Sequence, residues 1–195
     1  MKVAIIKYNA GNIRSVSFAL EQLGINFAVT DSDEEIRSAD RVNFPDVSEA
    51  SSTMRYLQEK KLDEVIKNLK QRTLGICLSM QIMCRYSEEN NTSCLGIFDD
   101  TVQRFKSDSL KIPHMGWNAI EKVTGWLGGA LEGSYGYFIH SYFVPLSVFT
   151  TAETNYGVTF SVTIRKNNLY AFHFHPEKSA EGGVNVLRNF LEQPN

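Results

Sequence analysis

The stretch Leu74-Gly75-Ile76-Cys77-Leu78-Ser79-Met80-Gln81 joins two structural patterns within one octapeptide. The run from Thr73 to Ile76 reads as the end of a buried strand. Leu78 to Tyr86 reads as a helix, so Cys77 falls at the turn between them. A side chain placed there faces unpaired backbone N–H groups and the positive end of a helix dipole. The thiolate is the reactive form of cysteine, and a helix N-terminus lowers its pKa from about 8.5 toward neutrality. Gly75 and Ser79, two before and two after the cysteine, are small enough for a sharp turn. That is the spacing of a nucleophile elbow. The competing reading is a small buried hydrophobe, and the surrounding chain has to decide between the two.

Upstream, strand and helix patterns alternate. Lys2 to Lys7 is an apolar, β-branched strand, and Tyr8-Asn9-Ala10-Gly11-Asn12 is a turn. Ile13, Val16, Ala19, Leu20 and Leu23 form a helical stripe closed by Gly24. Phe27 to Val29 is a strand, and Asp31-Ser32-Asp33 caps a short acidic helix. Arg41 to Phe44 is a third strand, ended by Pro45, and Asp46 to Lys70 carries two helical stretches. The alternation predicts an α/β fold with a parallel sheet, and in such sheets active sites lie at the carboxyl ends of the strands. Tyr8–Asn12, Pro45–Ser48 and Cys77 all fall there.

Downstream the pattern changes to short alternating segments. Val102–Phe105, Ala119–Val123, Tyr137–Phe143, Phe149–Ala152, Val158–Ile164 and Leu169–His173 read as antiparallel or mixed sheet. Gly157 and Asn167-Asn168 read as hairpin turns, and Gly183 to Leu191 as a final helix. No linker, repeat or low-complexity stretch divides the 195 residues, so residues 1–195 are expected to form a single domain. The net charge of −2 makes nucleic acid and anionic membrane poor partners, and no apolar run has the length needed to span a bilayer. The three cysteines, Cys77, Cys84 and Cys94, are odd in number and lack C-x-x-C spacing. They argue for a reducing cytoplasm and against a disulfide framework or a zinc site.

Near the end lies Phe172-His173-Phe174-His175-Pro176-Glu177-Lys178-Ser179. A turn at Pro176 lets His175 and Glu177 serve one site. A cysteine, a histidine base and a carboxylate that orients the base make up the acyl-transfer arrangement. Taken singly, His175 is a histidine at a strand end and Glu177 a solvated turn carboxylate. Trp117 fits core or surface, and Trp126 reads as packing. Cys84 reads as core, and Cys94 as a loop or packing cysteine. His114 and His173 read as structural, with His173 facing away from the site.

The blocks Gly75-Ile76-Cys77-Leu78-Ser79-Met80-Gln81 and Phe174-His175-Pro176-Glu177-Lys178-Ser179 resemble the class I (triad) glutamine amidotransferases. Tyr8–Asn12, Pro113-His114-Met115-Gly116-Trp117-Asn118 and Phe138-Ile139-His140-Ser141-Tyr142 look like the glutaminase subunits of imidazole glycerol phosphate synthases. The resemblance implies a three-layer, flavodoxin-like α/β fold. Its central sheet is mixed and mostly parallel, with helices on both faces and an antiparallel extension in the C-terminal half. It also implies hydrolysis of L-glutamine and transfer of ammonia to a (β/α)8-barrel cyclase subunit in a heterodimer. There PRFAR becomes imidazole glycerol phosphate and AICAR in histidine biosynthesis. Matching positions make Cys77 the nucleophile, His175 the base and Glu177 its orienter. The Val47 and Leu78 N–H groups become oxyanion donors. Gln81, His140, Ser141 and Tyr142 become glutamine contacts, and Asn12, Trp117 and Lys178 the partner interface. No metal or organic cofactor is implied.

The chain departs from the family pattern at the site. Pro45-Asp46-Val47-Ser48 stands where the family writes Pro-Gly-Val-Gly, and Ser79 stands where it has glycine. Glycine allows the positive φ that an oxyanion-segment flip demands, and a carboxylate at Asp46 repels a developing oxyanion. Two alternatives follow. One is a paralogous amidotransferase for another amination pathway. The other is a weakly active or non-catalytic subunit that stabilises its partner.

Overall fold

A computed structural model describes residues 1–8, 12–46 and 49–192. In chain order the first half is β1 (Lys2–Ile6), α1 (Ile13–Gln22), β2 (Asn26–Thr30), α2 (Asp33–Ser38), β3 (Arg41–Phe44), α3 (Ala50–Glu59), α4 (Leu62–Lys67), β4 (Arg72–Ile76) and α5 (Leu78–Met83). The second half is β5 (Tyr86–Ser87), β6 (Thr92–Ser93), β7 (Thr101–Arg104), β8 (His114–Ala119), β9 (Tyr135–His140), β10 (Tyr142–Phe143), β11 (Thr150–Asn155), β12 (Thr159–Lys166), β13 (Leu169–Phe172) and α6 (Ala180–Glu192).

Side chains alternate across a strand, and here the alternation sorts them between two cores. Val3, Ile5, Leu74, Ile76, Tyr170 and Phe172 pack with Val16 and Leu20 of α1 and Val186 and Phe190 of α6. Ala4, Ile6, Val42, Phe44 and Ala171 pack with Ile36, Met54, Leu57, Val65 and Met80 from the helices of the other face. Each fully buried large apolar side chain contributes roughly 1.5–3 kcal/mol. The result is three layers, with helices on both faces of a seven-stranded sheet ordered β11-β12-β13-β4-β3-β1-β2. Strands β2, β1, β3, β4 and β13 are mutually parallel, and β12 and β11 continue the sheet antiparallel. This is the α/β architecture with an antiparallel C-terminal extension that the resemblance implied.

The pairing of β13 with β4 positions the site. Phe172 lies opposite Ile76, and the Cys77 N–H donates to the Phe172 carbonyl at 2.7 Å. Both strands therefore end side by side, and the residues after each share one end of the sheet.

Several segments differ from the sequence reading. The helix after Cys77 stops at Met83 instead of reaching Tyr86. The N–H groups of Leu95, Gly96, Ile97 and Phe98 donate to the carbonyls of Ile82, Cys84 and Met83, so a distant loop satisfies the helix end in place of another turn. The chain then enters the short strands β5 and β6, which carry no apolar alternation. The strand expected at Ala119–Val123 lies at His114–Ala119, in a two-stranded ribbon with β9. That ribbon leaves Met115 and Trp117 exposed, so it needs no apolar run. The expected strand Tyr137–Phe143 is split at Ser141 into β9, paired with β8, and β10, paired with β7. The turns at Gly157 and Asn167 stand as read, both with positive φ (74° and 55°). Among the described residues, no helix is long and apolar enough to cross a membrane.

Candidate active site

Cys77 sits at the junction of β4 and α5 with φ 53° and ψ −110°, a region non-glycine residues seldom adopt. Gly75 makes the turn possible. A Cβ there would meet Met83 Sδ at 2.8 Å and the Ser79 carbonyl carbon at 3.3 Å. The Cys77 side chain is buried, and its Sγ–H donates to the Ile139 carbonyl at 3.9 Å. Burial raises the thiol pKa well above its ordinary value, and the Asp46 and Glu177 carboxylates raise it further. The lowering expected from the helix N-terminus is therefore overruled. Desolvation penalises the thiolate, and two anions add to that penalty.

His175 and Glu177 meet as the sequence predicts. The imidazole Nδ1–H donates to Glu177 Oε1 at 3.0 Å, leaving Nε2 as the basic nitrogen. Both side chains are almost fully buried. The turn that holds them is pinned by Ser179, whose hydroxyl donates to the His175 carbonyl at 2.6 Å and accepts from the Tyr137 N–H at 2.9 Å. Gly183 of α6 lies against the same turn, where a Cβ would fall 1.9 Å from the Pro176 carbonyl oxygen. The site atoms of Cys77, His175 and Asp46 lie within 4.8 Å of one another. The direct thiol–imidazole hydrogen bond expected for a base and its nucleophile is replaced by the contact to Ile139, and Asp46 stands beside both groups.

Asp46, expected to repel a developing oxyanion, lies on the backbone N–H that the resemblance assigns to that oxyanion. The Leu78 N–H donates to Asp46 Oδ1 at 3.1 Å, the Asn12 side-chain amide donates to Oδ2 at 3.3 Å, and His175 Nε2 lies 4.0 Å from Oδ2. The other departure, Ser79, acts on the same segment. Its hydroxyl donates to the Pro45 carbonyl, which also accepts from the Tyr8 hydroxyl. The second predicted oxyanion donor, Val47, lies outside the described residues.

A pocket brings together Asp46, Cys77, Gln81, His140, Tyr142 and His175, with Asn12, Leu78, Ser141 and Lys178 also on its wall. Every described residue assigned to glutamine therefore lines one cavity. Asn12 and Lys178, assigned to a partner interface, open onto it too. Trp117 is absent from this wall and stands exposed on β8 against Tyr137. Gln81 is buried, its amide nitrogen 3.4 Å from the Tyr142 carbonyl, and its Oε1 has no hydrogen-bond partner among the described residues.

Behind that wall lies a cluster that the sequence reading missed. The His173 ring centroid is 4.0 Å from that of His140, and Gln81 donates to its Nε2 at 3.3 Å. His114 Nδ1 is 3.0 Å from His140 Nε2, and His140 Nδ1–H donates to the Tyr142 carbonyl at 2.7 Å. His173 was expected to face away from the site; it supports Gln81 from behind. Alternation along β13 gave its side but not what the β9–β10 chain would put there. Burial keeps these histidines neutral, with pKa values lowered to about 4 for His114 and about 3 for His173, and well below normal for His140.

A family model for glutamine amidotransferase class-I matches residues 5–193. The chain is 53% identical over 195 residues to the imidazole glycerol phosphate synthase subunit HisH of Bacteroides fragilis, covering 98% of this chain and all of that one. It is 41% identical to the HisH subunit of Idiomarina loihiensis, covering 98% of each chain. In three dimensions it resembles a crystal structure of a glutamine amidotransferase with a TM-score of 0.76, at 19% identity over 97% of both chains. A putative GMP synthase subunit from Thermoplasma acidophilum gives a TM-score of 0.72 at 16% identity, covering 98% of this chain and 92% of that one. With a buried Cys–His–Glu constellation at the end of a matching sheet, this chain belongs to the class-I glutamine amidotransferase family, among the HisH subunits of imidazole glycerol phosphate synthase.

Proposed function

We propose that the chain hydrolyses glutamine to glutamate and ammonia at Cys77, as the glutaminase subunit of an imidazole glycerol phosphate synthase in the cytoplasm. Its partner is a (β/α)8-barrel cyclase subunit that uses the ammonia to convert PRFAR into imidazole glycerol phosphate and AICAR in histidine biosynthesis. The observation that carries this is the Glu177-bonded His175, whose free Nε2 opens onto the pocket that holds the Cys77 sulfur.

The steps follow from the groups present. The Cys77 thiol gives its proton to His175 Nε2, and the sulfur attacks the glutamine carboxamide carbon. The Leu78 N–H stabilises the resulting oxyanion once Asp46 has moved off it, with Val47 as the second donor. The His175 imidazolium protonates the departing ammonia. Water, deprotonated by the same imidazole, then cleaves the thioester to glutamate and restores the thiol. Gln81 Oε1, a buried acceptor without a partner, is suited to the substrate α-amino group, and His140, Ser141 and Tyr142 shape the wall around it. Asn12, Trp117 and Lys178 face the barrel partner.

The occupation of Leu78 N–H by Asp46 favours a second reading, a subunit with feeble glutaminase activity that mainly stabilises its partner. One assay separates them. With the barrel subunit present, Cys77→Ala should abolish glutamine-dependent synthesis and leave ammonia-dependent synthesis intact. Equal glutamine-dependent turnover in wild type and variant would rule out Cys77 as the nucleophile, and no turnover in either would favour the second reading.

A further inference from the structure

We propose that Asp46, Cys77 and His175 form a binding site for a borderline-soft divalent cation of the zinc class, and that such an ion holds the glutaminase off. The proposal rests on the assignment of Cys77 and His175 as nucleophile and base, and adds a mode of regulation to that site.

Three electron-rich atoms, one from each side chain, lie within 4.8 Å of one another. Their chemistry is mixed: a carboxylate oxygen, a thiol sulfur and an imidazole nitrogen. Magnesium and calcium prefer oxygen alone, whereas zinc accepts all three donor types. The His175 donor is Nε2, because Nδ1 is bonded to Glu177 Oε1 at 3.0 Å. A carboxylate behind a ligating imidazole is the usual outer support of a zinc ligand, fixing its tautomer and raising its basicity. Asp46 is held in a similar way, with Oδ1 on the Leu78 N–H at 3.1 Å and Oδ2 accepting from the Asn12 amide at 3.3 Å, 4.0 Å from His175 Nε2.

Ideal zinc bonds of about 2.0–2.3 Å place neighbouring ligand atoms roughly 3.3–3.6 Å apart. The three groups need only draw together by about an ångström, a movement available to the Cys77 side chain by rotation about χ1 while Asp46 stays on the Leu78 N–H. Binding releases the Cys77 thiol proton to solvent, and the sulfur coordinates as thiolate. The fourth position faces the pocket, where water can complete a tetrahedron. The ion would take the sulfur lone pair that attacks glutamine and the Nε2 lone pair that accepts the thiol proton. It would also fix Asp46 on the Leu78 N–H.

The test is a titration of the full-length chain, in reducing buffer and without glutamine, using Co2+ alone as an optical probe and then Zn2+ to displace it. The expected result is one Co2+ per chain, a thiolate-to-cobalt charge-transfer band and the strong visible bands of tetrahedral cobalt. Cys77→Ala should remove the charge-transfer band. Asp46→Gly and the isosteric Asp46→Asn should each weaken Zn2+ binding at least about 10-fold, a loss known even for outer-sphere partners. Circular dichroism checks that each variant is folded, and Asp46→Asn decides should the glycine variant fail to fold. Absence of the band, its persistence in Cys77→Ala, or unchanged Zn2+ affinity in folded Asp46→Asn overturns the site. A chain that binds the ions in this way but never turns over glutamine keeps the site and refutes the hydrolase. Glutamine turnover that micromolar Zn2+ leaves untouched does the reverse.

Discussion

Asp46 and Leu78 share a hydrogen bond on which the proposed glutaminase activity turns. The backbone N–H proposed to stabilise a tetrahedral oxyanion is instead satisfied by the Asp46 side chain. The same carboxylate helps hold the Cys77 thiol in its protonated form, after the larger effect of burial. Removing one oxyanion donor costs about 10²–10³ in rate, and restoring one should recover a comparable share. Asp46→Gly is therefore expected to raise glutamine-dependent turnover, up to about 10²-fold, measured as kcat with the barrel partner present. An unchanged or lower kcat would mean that the carboxylate leaves the donor unaided during turnover. Glu177 works in the opposite sense. It fixes the His175 tautomer, so Glu177→Gln should lower kcat by about 10²–10⁴ while glutamine KM changes little. A large KM effect with kcat preserved would instead make Glu177 a substrate-pocket residue.

The elements that carry these residues are held by close backbone approaches. The turn after β13 is locked by Ser179 and lies directly against α6 at Gly183. Gly183→Ala would place a methyl group 1.9 Å from the Pro176 oxygen, so either the helix or the turn has to move. Overpacking of this kind typically costs about 1–3 kcal/mol. The expected outcome is a lower Tm together with loss of glutaminase activity, because the displaced turn carries His175. A stable variant with full activity would show that α6 yields without disturbing the turn. The chain after β3 is held similarly, with the Pro45 carbonyl bonded by the Ser79 and Tyr8 hydroxyls. At this scale the sequence was readable where a pattern was local. The strands of the first half, the acidic helix capped by Ser32 and the elbow at Cys77 stand within a residue or two of the reading. The premature end of α5 and the displacement of β8 were not readable, since both depend on hydrogen bonds from segments far along the chain.

On the scale of the whole molecule, all four histidines, His114, His140, His173 and His175, gather at one end of the sheet. Three of them are buried with depressed pKa values, about 4 for His114 and about 3 for His173, with His140 moved the same way. The unfolded chain protonates these groups near pH 6.5, so between that pH and the folded values it binds more protons than the native state. Their contribution to stability is fully present above about pH 6.5 and is lost as pH falls below it. Each such histidine adds a slope of about 1.4 kcal/mol per pH unit. Tm should therefore be flat from pH 7 to 8 and fall from pH 6.5 to 5, and His173→Gln should reduce the steepness by about one proton's worth. A flat Tm profile down to pH 5 would mean that the cluster is protonated without cost in the fold.

By itself the sequence determined which residue types meet at the site. Cysteine at an elbow and histidine two residues before glutamate are local patterns, written in residues adjacent along the chain. The family resemblance followed from the same blocks. The α/β alternation was legible for the same reason, because hydrophobic period follows strand and helix directly. Only the tertiary structure decided that β13 runs parallel beside β4, which brings His175 to Cys77 across half the chain. Only it decided that Asp46 would sit on the Leu78 N–H and that three neutral histidines would back Gln81. These depend on which strand ends meet and on which donor lies nearest a given carboxylate. Such distances are set by packing the whole molecule, and no residue's neighbours in sequence encode them.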